Sequence, residues 1–160
     1  MERVFSPATK EKNLRVDVGA TLDSLKSRAD VRPGPVATTG YCVGGNASFR
    51  VATLFGDQIA LAASFHGGSV ATTQANSPHL KAGEVKARVY FAGALEDPSF
   101  TDDMKTMLET ALAKAAVLHT IETYPAKHGF CVSDSPSYDR AAAERHHVTL
   151  TQLLKETFGA

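Results

Sequence analysis

Apolar residues follow two alternating spacings along the chain, one typical of helices and one typical of strands. Helical spacing comes first, at Leu14, Val18, Leu22 and Leu25. The segment Pro33-Gly34-Pro35 ends this predicted helix before a short strand-like run over residues 36–40. Residues 43–55 predict a second helix that closes at Gly56, and residues 59–65 predict a strand apolar enough to be buried on both faces.

The second half of the chain repeats the alternation. Residues 88–93 predict a third strand, and residues 117–124 predict a weaker strand at or near a sheet edge, because polar residues interrupt it. Between them an apolar helical stripe runs through Met104, Leu108, Ala111, Leu112 and Ala115. Ser99 and Asp102 are predicted to start that helix as a capping box. A last helix is predicted from about Ser137, with one apolar face at Leu150, Leu153, Leu154 and Phe158.

Strands that alternate with helices in this way predict one α/β domain over residues 1–160, with four parallel strands flanked by helices. Because such connections are right-handed, the carboxyl ends of the strands should meet at one rim, where ligands bind in folds of this kind. A chemically reactive side chain follows each predicted strand, namely Cys42, His66, Asp97 and His128. Residues 67–86 are interpreted as a long surface loop, with a lid over the rim as the alternative.

Composition narrows the possible partners. The 17 Lys and Arg residues balance the 17 Asp and Glu residues, so no net charge favours nucleic acid or an anionic membrane. We find neither an apolar run long enough to span a bilayer nor an apolar signal core near Met1, and we expect a cytoplasmic protein. The two cysteines are too few for a disulfide scaffold, although a disulfide between Cys42 and Cys131 is left open as an alternative.

The first candidate for chemistry is Cys42, at the centre of Gly40-Tyr41-Cys42-Val43-Gly44-Gly45. A Gly-x-nucleophile-x-Gly turn between strand and helix strains the nucleophile's backbone and leaves no space for side chains on either side. Gly40 and Gly44 are expected to meet this requirement for small residues. The partial positive charge at the start of the following helix favours the thiolate over the thiol, and the Val43 N–H becomes a candidate oxyanion donor. The alternative is that Cys42 is a small buried apolar residue beside a glycine-rich turn.

Asp97 and His128 complete a possible triad. A thiolate nucleophile needs a base to take its proton and a carboxylate to orient that base. The order Cys42, Asp97, His128 is the nucleophile, acid, histidine order of α/β-hydrolases. Glu96 is the alternative acid. An ordinary Asp-Pro turn at Asp97 and a solvated loop histidine at His128 are the structural alternatives.

These residues resemble the dienelactone hydrolase family. The likeness rests on the Tyr41-Cys42-Val43-Gly44-Gly45 elbow, on Phe91-Ala92-Gly93 leading to Asp97-Pro98, on Tyr124-Pro125 with His128-Gly129-Phe130, and on Tyr138-Asp139 with Ala141-Ala142. The elbow is fairly specific because most α/β-hydrolases carry serine there. The resemblance implies a three-layer α/β-hydrolase-like fold and cleavage of a small ester or lactone, as by a carboxymethylenebutenolidase, through an acyl-thioester.

The resemblance also assigns roles. It implies Cys42 as nucleophile, His128 as base and Asp97 as the orienting acid, with no cofactor. Tyr41, His66 and Phe130 are expected to line the substrate pocket. The adjacent His146 and His147 point about 100° apart on a helix, so we expect them at the surface and propose no metal site.

The chain departs from the family pattern before the elbow. Only about forty residues precede Cys42, whereas the family has several further strands there, which carry a second oxyanion N–H, an acidic residue and part of a substrate-binding arginine pair. At the place of the second family arginine stand Cys131, Val132 and Ser133. We expect the exposed edge of the first strand to promote a homo-oligomer.

Two other function classes remain open at this point. The first is an inactive relative that acts as a binding or assembly module, which the short segment before Cys42 motivates. The second, a thiol-redox protein, is less favoured because no resolving cysteine is close in sequence.

Overall fold

The computed structural model describes residues 10–159, and a parallel four-stranded sheet is its central layer. The strands are β1 (Val36–Tyr41), β2 (Ile59–Phe65), β3 (Arg88–Ala94) and β4 (His119–Tyr124). They pair in sequence order, and all three pairs are parallel. The predicted α/β fold with four parallel strands is therefore confirmed, including the position of the polar fourth strand at an edge of this sheet.

Helices cover both faces of the sheet. They are α1 (Glu11–Lys26), α2 (Val43–Phe55), α3 (Asp102–Lys114) and α4 (Arg140–Phe158), with short 3₁₀ segments at Gly56–Gln58 and Pro78–Glu84. One core joins α1, α2 and α3 to one sheet face through residues such as Leu14, Phe49, Ala62, Phe91 and Leu108. A second core joins α4 to the other face through residues such as Phe65, Tyr90, Tyr124 and Leu153. This arrangement gives three layers.

Two predicted helix starts were wrong because other side chains provide the caps. Thr101, not Ser99, caps α3, since its hydroxyl accepts a hydrogen bond from the Met104 N–H at 3.4 Å. The helix α4 begins at Arg140 rather than about Ser137, because the Asp139 carboxylate accepts from the Ala142 N–H at 2.8 Å. Ser99 is thereby free to bond elsewhere, which affects the site described below.

The polar character of β4 has a packing reason. Glu122 accepts a hydrogen bond from the buried Tyr90 hydroxyl and forms an ion pair with Arg145 of α4. The Arg145 guanidinium also lies over the Tyr124 ring, 4.1 Å from its centroid. Glu122 thus connects the edge strand to α4, and burial together with the Glu122 hydrogen bond raises the pKa of the Tyr90 hydroxyl far above its usual range.

The segment 67–86 packs on the domain rather than extending into solvent. Val70, Ala71 and Ala82 are buried, and the 3₁₀ segment Pro78–Glu84 contacts α2 and α3. Inside it, the Ser77 hydroxyl accepts from the Thr72 N–H and shares a hydrogen bond with His79 Nδ1, both at 2.8 Å. These contacts fit the surface-loop interpretation better than a hinged lid.

The outer edge of β1 has no neighbouring strand among residues 10–159. Association of two copies through that edge stays a prediction, for which sedimentation at micromolar concentration is the direct measurement. Within the same described range, no helix combines the length and the apolar character needed to cross a membrane.

Candidate active site at the carboxyl rim of the sheet

Backbone hydrogen bonds continue past the strand ends and fix the rim loops relative to one another. The Cys42 N–H donates to the Phe65 carbonyl at 3.2 Å, and the His66 N–H donates to the Ala92 carbonyl at 2.8 Å. At the third strand end, the Leu95 N–H donates to the Ala126 carbonyl at 2.8 Å. The residues that follow the four strands are therefore held side by side along the rim, as the parallel order requires.

The turn at Cys42 has the strained geometry of a nucleophile elbow. Cys42 has φ of 52° and ψ of −121°, a conformation that L-residues rarely adopt, and its side chain is exposed. A Cβ on Gly40 would lie 2.0 Å from the Gly44 carbonyl oxygen, so only glycine fits there. The second crowded position is Gly45, whose added Cβ would lie 2.5 Å from Ser64 Oγ. The expectation that Gly44 is sterically required was wrong, because nothing lies within 4 Å of its added Cβ.

Asp97 and His128 form a hydrogen-bonded pair beside this elbow. Asp97 Oδ2 lies 2.7 Å from His128 Nδ1, and the Asp97 side chain is 1% exposed. The other carboxylate oxygen accepts from the Ser99 hydroxyl at 2.6 Å and from the Ser99 N–H at 2.9 Å. Glu96, the alternative acid, is exposed on the same turn with φ of 52°. The geometry therefore pairs His128 with Asp97.

The charge state of Asp97 determines the tautomer of His128. Burial alone would raise the pKa of the Asp97 carboxyl, but hydrogen bonds from Ser99 and His128 outweigh burial and hold this pKa below its ordinary value. An ionised carboxylate only accepts hydrogen bonds, so His128 Nδ1 must carry the proton. The neutral ring then keeps Nε2 unprotonated, which is the state that a general base needs.

The lowered pKa of Asp97 predicts how the stability of the fold changes at acid pH. A carboxyl whose pKa is lower in the folded state than in the unfolded state stabilises the fold at every pH above its unfolded-state pKa. That contribution is lost as the pH falls through the folded-state pKa. The free energy of unfolding of the wild type minus that of Asp97→Asn should therefore shrink as the pH falls below the ordinary carboxyl pKa of 3.8. Urea titrations between pH 2.5 and 7 measure it, and a pH-independent difference would contradict the assigned ionisation.

Cys42 and His128 line the same open cleft of about 500 Å³. Its other walls come from Asn46 and Arg50 of α2, from Ser99 after β3, and from residues of the segment 67–86, namely Gly68, Ser69, Thr72, Gln74, Asn76 and Ser77. Val43, the candidate oxyanion donor, is also part of the wall. Its N–H belongs to the first turn of α2, where amides have no acceptor within the helix. The candidate nucleophile, the candidate base and the candidate oxyanion donor thus border one cleft.

The three predicted pocket residues do not border this cleft. His66 and Phe130 are 1% and 0% exposed and lie beneath His128, with the His66 ring 4.9 Å from the His128 ring and 5.0 Å from the Phe130 ring. Burial lowers the pKa of His66 to about 4, so it is neutral near pH 7, and neither ring nitrogen has a hydrogen-bond partner in the described structure. Tyr41 turns away, and its hydroxyl lies 2.7 Å from His146 Nε2. None of the three is among the residues that line this cleft, so their role as substrate-pocket residues stays a prediction. His66 and Phe130 are buried, whereas Tyr41 keeps 37% of its surface exposed.

Two further pairs of residues, His146 with His147 and Cys42 with Cys131, were considered from the sequence. His146 is 2% exposed, so the expected surface position was wrong for it, whereas His147 is exposed. The reason is the contact with Tyr41, which draws His146 into the core against Phe65. Both cysteines are free thiols in the described structure, and burial raises the pKa of Cys131 to about 11.

Sequence reasoning missed Ser99, Asn46 and Arg50. Ser99 follows Asp97 by two residues, a spacing at which a side chain often bonds an Asp carboxylate, and this signal was assigned to a helix cap instead. Asn46 and Arg50 stand four residues apart on the helix after the elbow, and Arg50 Nε donates to Asn46 Oδ1 at 2.8 Å. Polar residues on that helix face were the available indication that it borders a cleft.

Comparison with known proteins identifies the family of this chain. The model of the Dienelactone hydrolase family matches residues 1–158. A protein of Synechocystis sp. assigned as a carboxymethylenebutenolidase is 30% identical over 157 residues, which cover 96% of this chain and 63% of that protein. The chain therefore spans less than two thirds of that relative's length.

Solved structures of similar proteins share the fold. A protein from Klebsiella pneumoniae assigned as a dienelactone hydrolase aligns with a TM-score of 0.77 at 23% identity, covering 93% of this chain and 61% of its own. The dienelactone hydrolase-like promiscuous phosphotriesterase P91, from metagenomic libraries, aligns with a TM-score of 0.79 at 22% identity, covering 98% of this chain and 66% of its own. With the family match extending over nearly all its residues, this chain belongs to the dienelactone hydrolase family.

Proposed function

We propose that the protein hydrolyses a small ester or lactone through an acyl-thioester on Cys42. The observation that carries this proposal is the 2.7 Å bond between Asp97 Oδ2 and His128 Nδ1, next to a cleft that His128 shares with the strained Cys42. Membership of a hydrolase family supports the reaction class.

Acylation uses the groups on the rim in a fixed order. His128 Nε2 takes the thiol proton of Cys42, and the sulfur attacks the ester carbonyl carbon. The negative charge that develops on the carbonyl oxygen is stabilised by the Val43 N–H and the positive end of α2. The carbon–oxygen bond to the leaving group then breaks, and the protonated His128 returns its proton to the departing alkoxide.

Deacylation repeats the sequence with water. His128 Nε2 removes a proton from a water molecule, and the resulting hydroxide attacks the thioester carbonyl. Collapse of the intermediate breaks the carbon–sulfur bond, releases the carboxylic acid and leaves Cys42 to be reprotonated. Asp97 holds the ring orientation and stabilises the imidazolium that forms in each half reaction.

Trapping the acyl-enzyme tests this function. Brief incubation with p-nitrophenyl acetate, followed by acid quench and peptide mass spectrometry, should show acetylation of Cys42. Cys131 is the internal control, because burial raises its pKa to about 11 and keeps it protonated at neutral pH. Acetylation of neither cysteine, without a burst of p-nitrophenol, would contradict the proposal and favour the alternative of a binding module.

A further inference from the structure

The carboxylate of Asp97 is held at both of its oxygens. Oδ2 lies 2.7 Å from His128 Nδ1, and Oδ1 accepts from the Ser99 hydroxyl at 2.6 Å and from the Ser99 N–H at 2.9 Å. The Asp97 side chain is 1% exposed, so these donors provide the stabilisation that water gives an exposed carboxylate. Rotation of the carboxylate would break the bonds to Ser99 and to His128 together. Ser99 therefore fixes which oxygen faces His128.

The hydrogen of the Ser99 hydroxyl has one acceptor. Oγ lies 2.6 Å from Asp97 Oδ1 and 3.5 Å from His128 Nδ1. Because Nδ1 carries a proton beside the ionised carboxylate, it cannot accept a hydrogen bond. The hydroxyl therefore donates to Asp97, and its loss would leave Oδ1 with the backbone hydrogen bond alone.

The loop after β2 holds Ser99 from the other side. The Ser69 N–H donates to the Ser99 carbonyl oxygen at 2.7 Å. A Cβ added to Gly68 would lie 2.6 Å from Ser99 Oγ and 2.7 Å from Ser99 Cβ, so the loop backbone packs directly against this side chain. Ser69 has φ of 55°, a conformation that is rare for a non-glycine residue and persists where the surrounding structure imposes it. The position of Ser99 thus depends on the position of this loop.

Asn46 joins the same loop to the helix that follows Cys42. Its side chain is buried, its Nδ2 donates to the carbonyls of Gly68 and Ser69 at 3.0 and 2.9 Å, and its Oδ1 accepts from Arg50 Nε at 2.8 Å. Two carbonyl acceptors and one guanidinium donor allow a single orientation of the amide. Asn46 lies about one helical turn beyond Cys42. Hydrogen bonds therefore connect the helix of the candidate nucleophile to the loop that holds the candidate acid in place.

Other titratable side chains surround Asp97 and its histidine partner, and in the described part of the chain none of them bonds to the carboxylate. His66 packs beneath the partner with the two rings 4.9 Å apart, Cys42 and Arg50 border the cleft, and Glu96 is exposed on the same turn. Burial lowers the pKa of His66 to about 4, so its ring is neutral near pH 7. All four side chains are retained when the Ser99 hydroxyl is removed, so they do not change the comparison between wild type and variant.

We propose that Ser99 is a positioning residue, which holds Asp97 and His128 in place relative to Cys42 through the loop at Gly68 and Ser69. The inference rests on the proposed function and adds to the triad a residue that acts through Asp97 rather than on the substrate. Asn46 completes the connection, because it holds that loop against the helix of the nucleophile.

The pH dependence of ester hydrolysis tests the proposal. In Ser99→Ala, kcat for p-nitrophenyl acetate should fall by about 10- to 100-fold, the factor that corresponds to one hydrogen bond to a charged group. Because a carboxylate that loses a donor binds a proton more tightly, the acid limb of the pH profile of kcat/KM should also move to higher pH. Gly68→Ala would displace the same hydroxyl and should move the limb in the same direction. Gly83→Ala adds a methyl group to the same segment with no atom within 4 Å and should leave the profile unchanged.

Urea unfolding gives a second measurement that needs no turnover. Burial raises the pKa of Asp97, and the hydrogen bond from the Ser99 side chain is the largest effect that lowers it. The contribution of this bond to stability is therefore present above the ordinary carboxyl pKa of 3.8 and is lost as the pH falls through the folded-state pKa. The free energy of unfolding of the wild type minus that of Ser99→Ala should shrink between pH 7 and 2.5. Thr101→Ala removes a nearby hydroxyl that caps α3, and its difference from the wild type should not depend on pH.

The two measurements separate the possible failures. If the wild type hydrolyses esters, the acid limb decides, and an unmoved limb in Ser99→Ala would overturn the proposal and make Ser99 a structural residue, whatever the loss in kcat. If the wild type does not hydrolyse esters, the stability difference decides. A difference that shrinks in acid would then remove the esterase and keep the bond by which Ser99 holds Asp97, whereas a pH-independent difference would overturn both.

Discussion

Replacing Cys42 with alanine is expected to lower kcat for hydrolysis of a small ester by about 10⁴-fold or more, the loss that removal of a triad member causes in other hydrolases. The variant keeps the elbow backbone and the Asp97–His128 bond but has no atom that can form the thioester. Stopped-flow and steady-state assays with p-nitrophenyl acetate measure the effect. Cys131→Ala serves as the control and should retain activity, because its thiol is half-buried and lies outside the cleft.

The same assay separates a working triad from a lone reactive thiol. His128→Gln keeps a donor for Asp97 but cannot accept a proton, so it should lose activity on a scale similar to that of Cys42→Ala. Residues that act as a unit are strongly non-additive, so the double variant should be at most a few-fold slower than the slower single variant. Full activity in His128→Gln would remove His128 from the mechanism and leave Cys42 without an assigned base.

Replacing Gly40 with alanine is expected to have the largest effect on stability. Its Cβ would lie 2.0 Å from the Gly44 carbonyl oxygen and 2.7 Å from the Gly45 nitrogen, and neither backbone group can move without disturbing the start of α2. Overpacking of this kind costs about 1–3 kcal/mol where side chains can adjust, so a backbone clash should reach or exceed the upper end. Urea unfolding followed by circular dichroism measures the loss.

Gly44→Ala is the matched control for that experiment. Both substitutions add one methyl group to the same six-residue elbow, but no atom lies within 4 Å of the added Cβ at Gly44. Alanine is also preferred over glycine inside a helix by about 1 kcal/mol, so Gly44→Ala should be neutral or stabilising. If both variants lost similar stability, the elbow would be limited by backbone entropy or an unfolded-state effect rather than by the contact between Gly40 and Gly44.

Strained backbone conformations occur at several positions along the carboxyl rim of the sheet. Non-glycine residues with positive φ follow three of the four strands, at Cys42 with 52°, His66 with 39° and Glu96 with 52°. Conformations of this kind cost about 1–3 kcal/mol each and persist where the surrounding structure imposes them. Here the ladder of hydrogen bonds that continues past the strands imposes them, and each strained residue is in the site or next to one of its members.

Local patterns in the sequence determined the elements and their order. The helical spacing of Leu14 and Leu22 predicted α1, and the continuous apolar run over residues 59–65 predicted a strand buried on both faces. Both predictions were confirmed, because the spacing of apolar residues within one segment determines which faces of that segment are buried. The residue after each strand was also predictable, since a parallel sheet brings all carboxyl ends to one rim. For that reason the sequence alone could predict Cys42, Asp97 and His128 at one rim, and its motifs indicated the family that the chain resembles.

Tertiary structure alone decided which neighbouring polar residue takes which role. Asp97 rather than Glu96 faces His128, and Gly45 rather than Gly44 is crowded, because of contacts between segments far apart in sequence. Ser99 bonds the Asp97 carboxylate two residues before it rather than capping a helix. His66 and His146 look like rim or surface histidines in sequence, and only packing against Phe130 and Tyr41 buries them.

The cleft could likewise not be predicted from the sequence. Its walls come from α2, from the segment 67–77 and from the turn at Ser99, so its charge depends on which side chains these segments direct toward one space. The overall charge of the chain is zero, yet the lining contains Arg50 and no carboxylate. Composition sums charge over the whole surface, whereas the charge of one cleft depends on the few side chains that tertiary contacts hold beside Cys42.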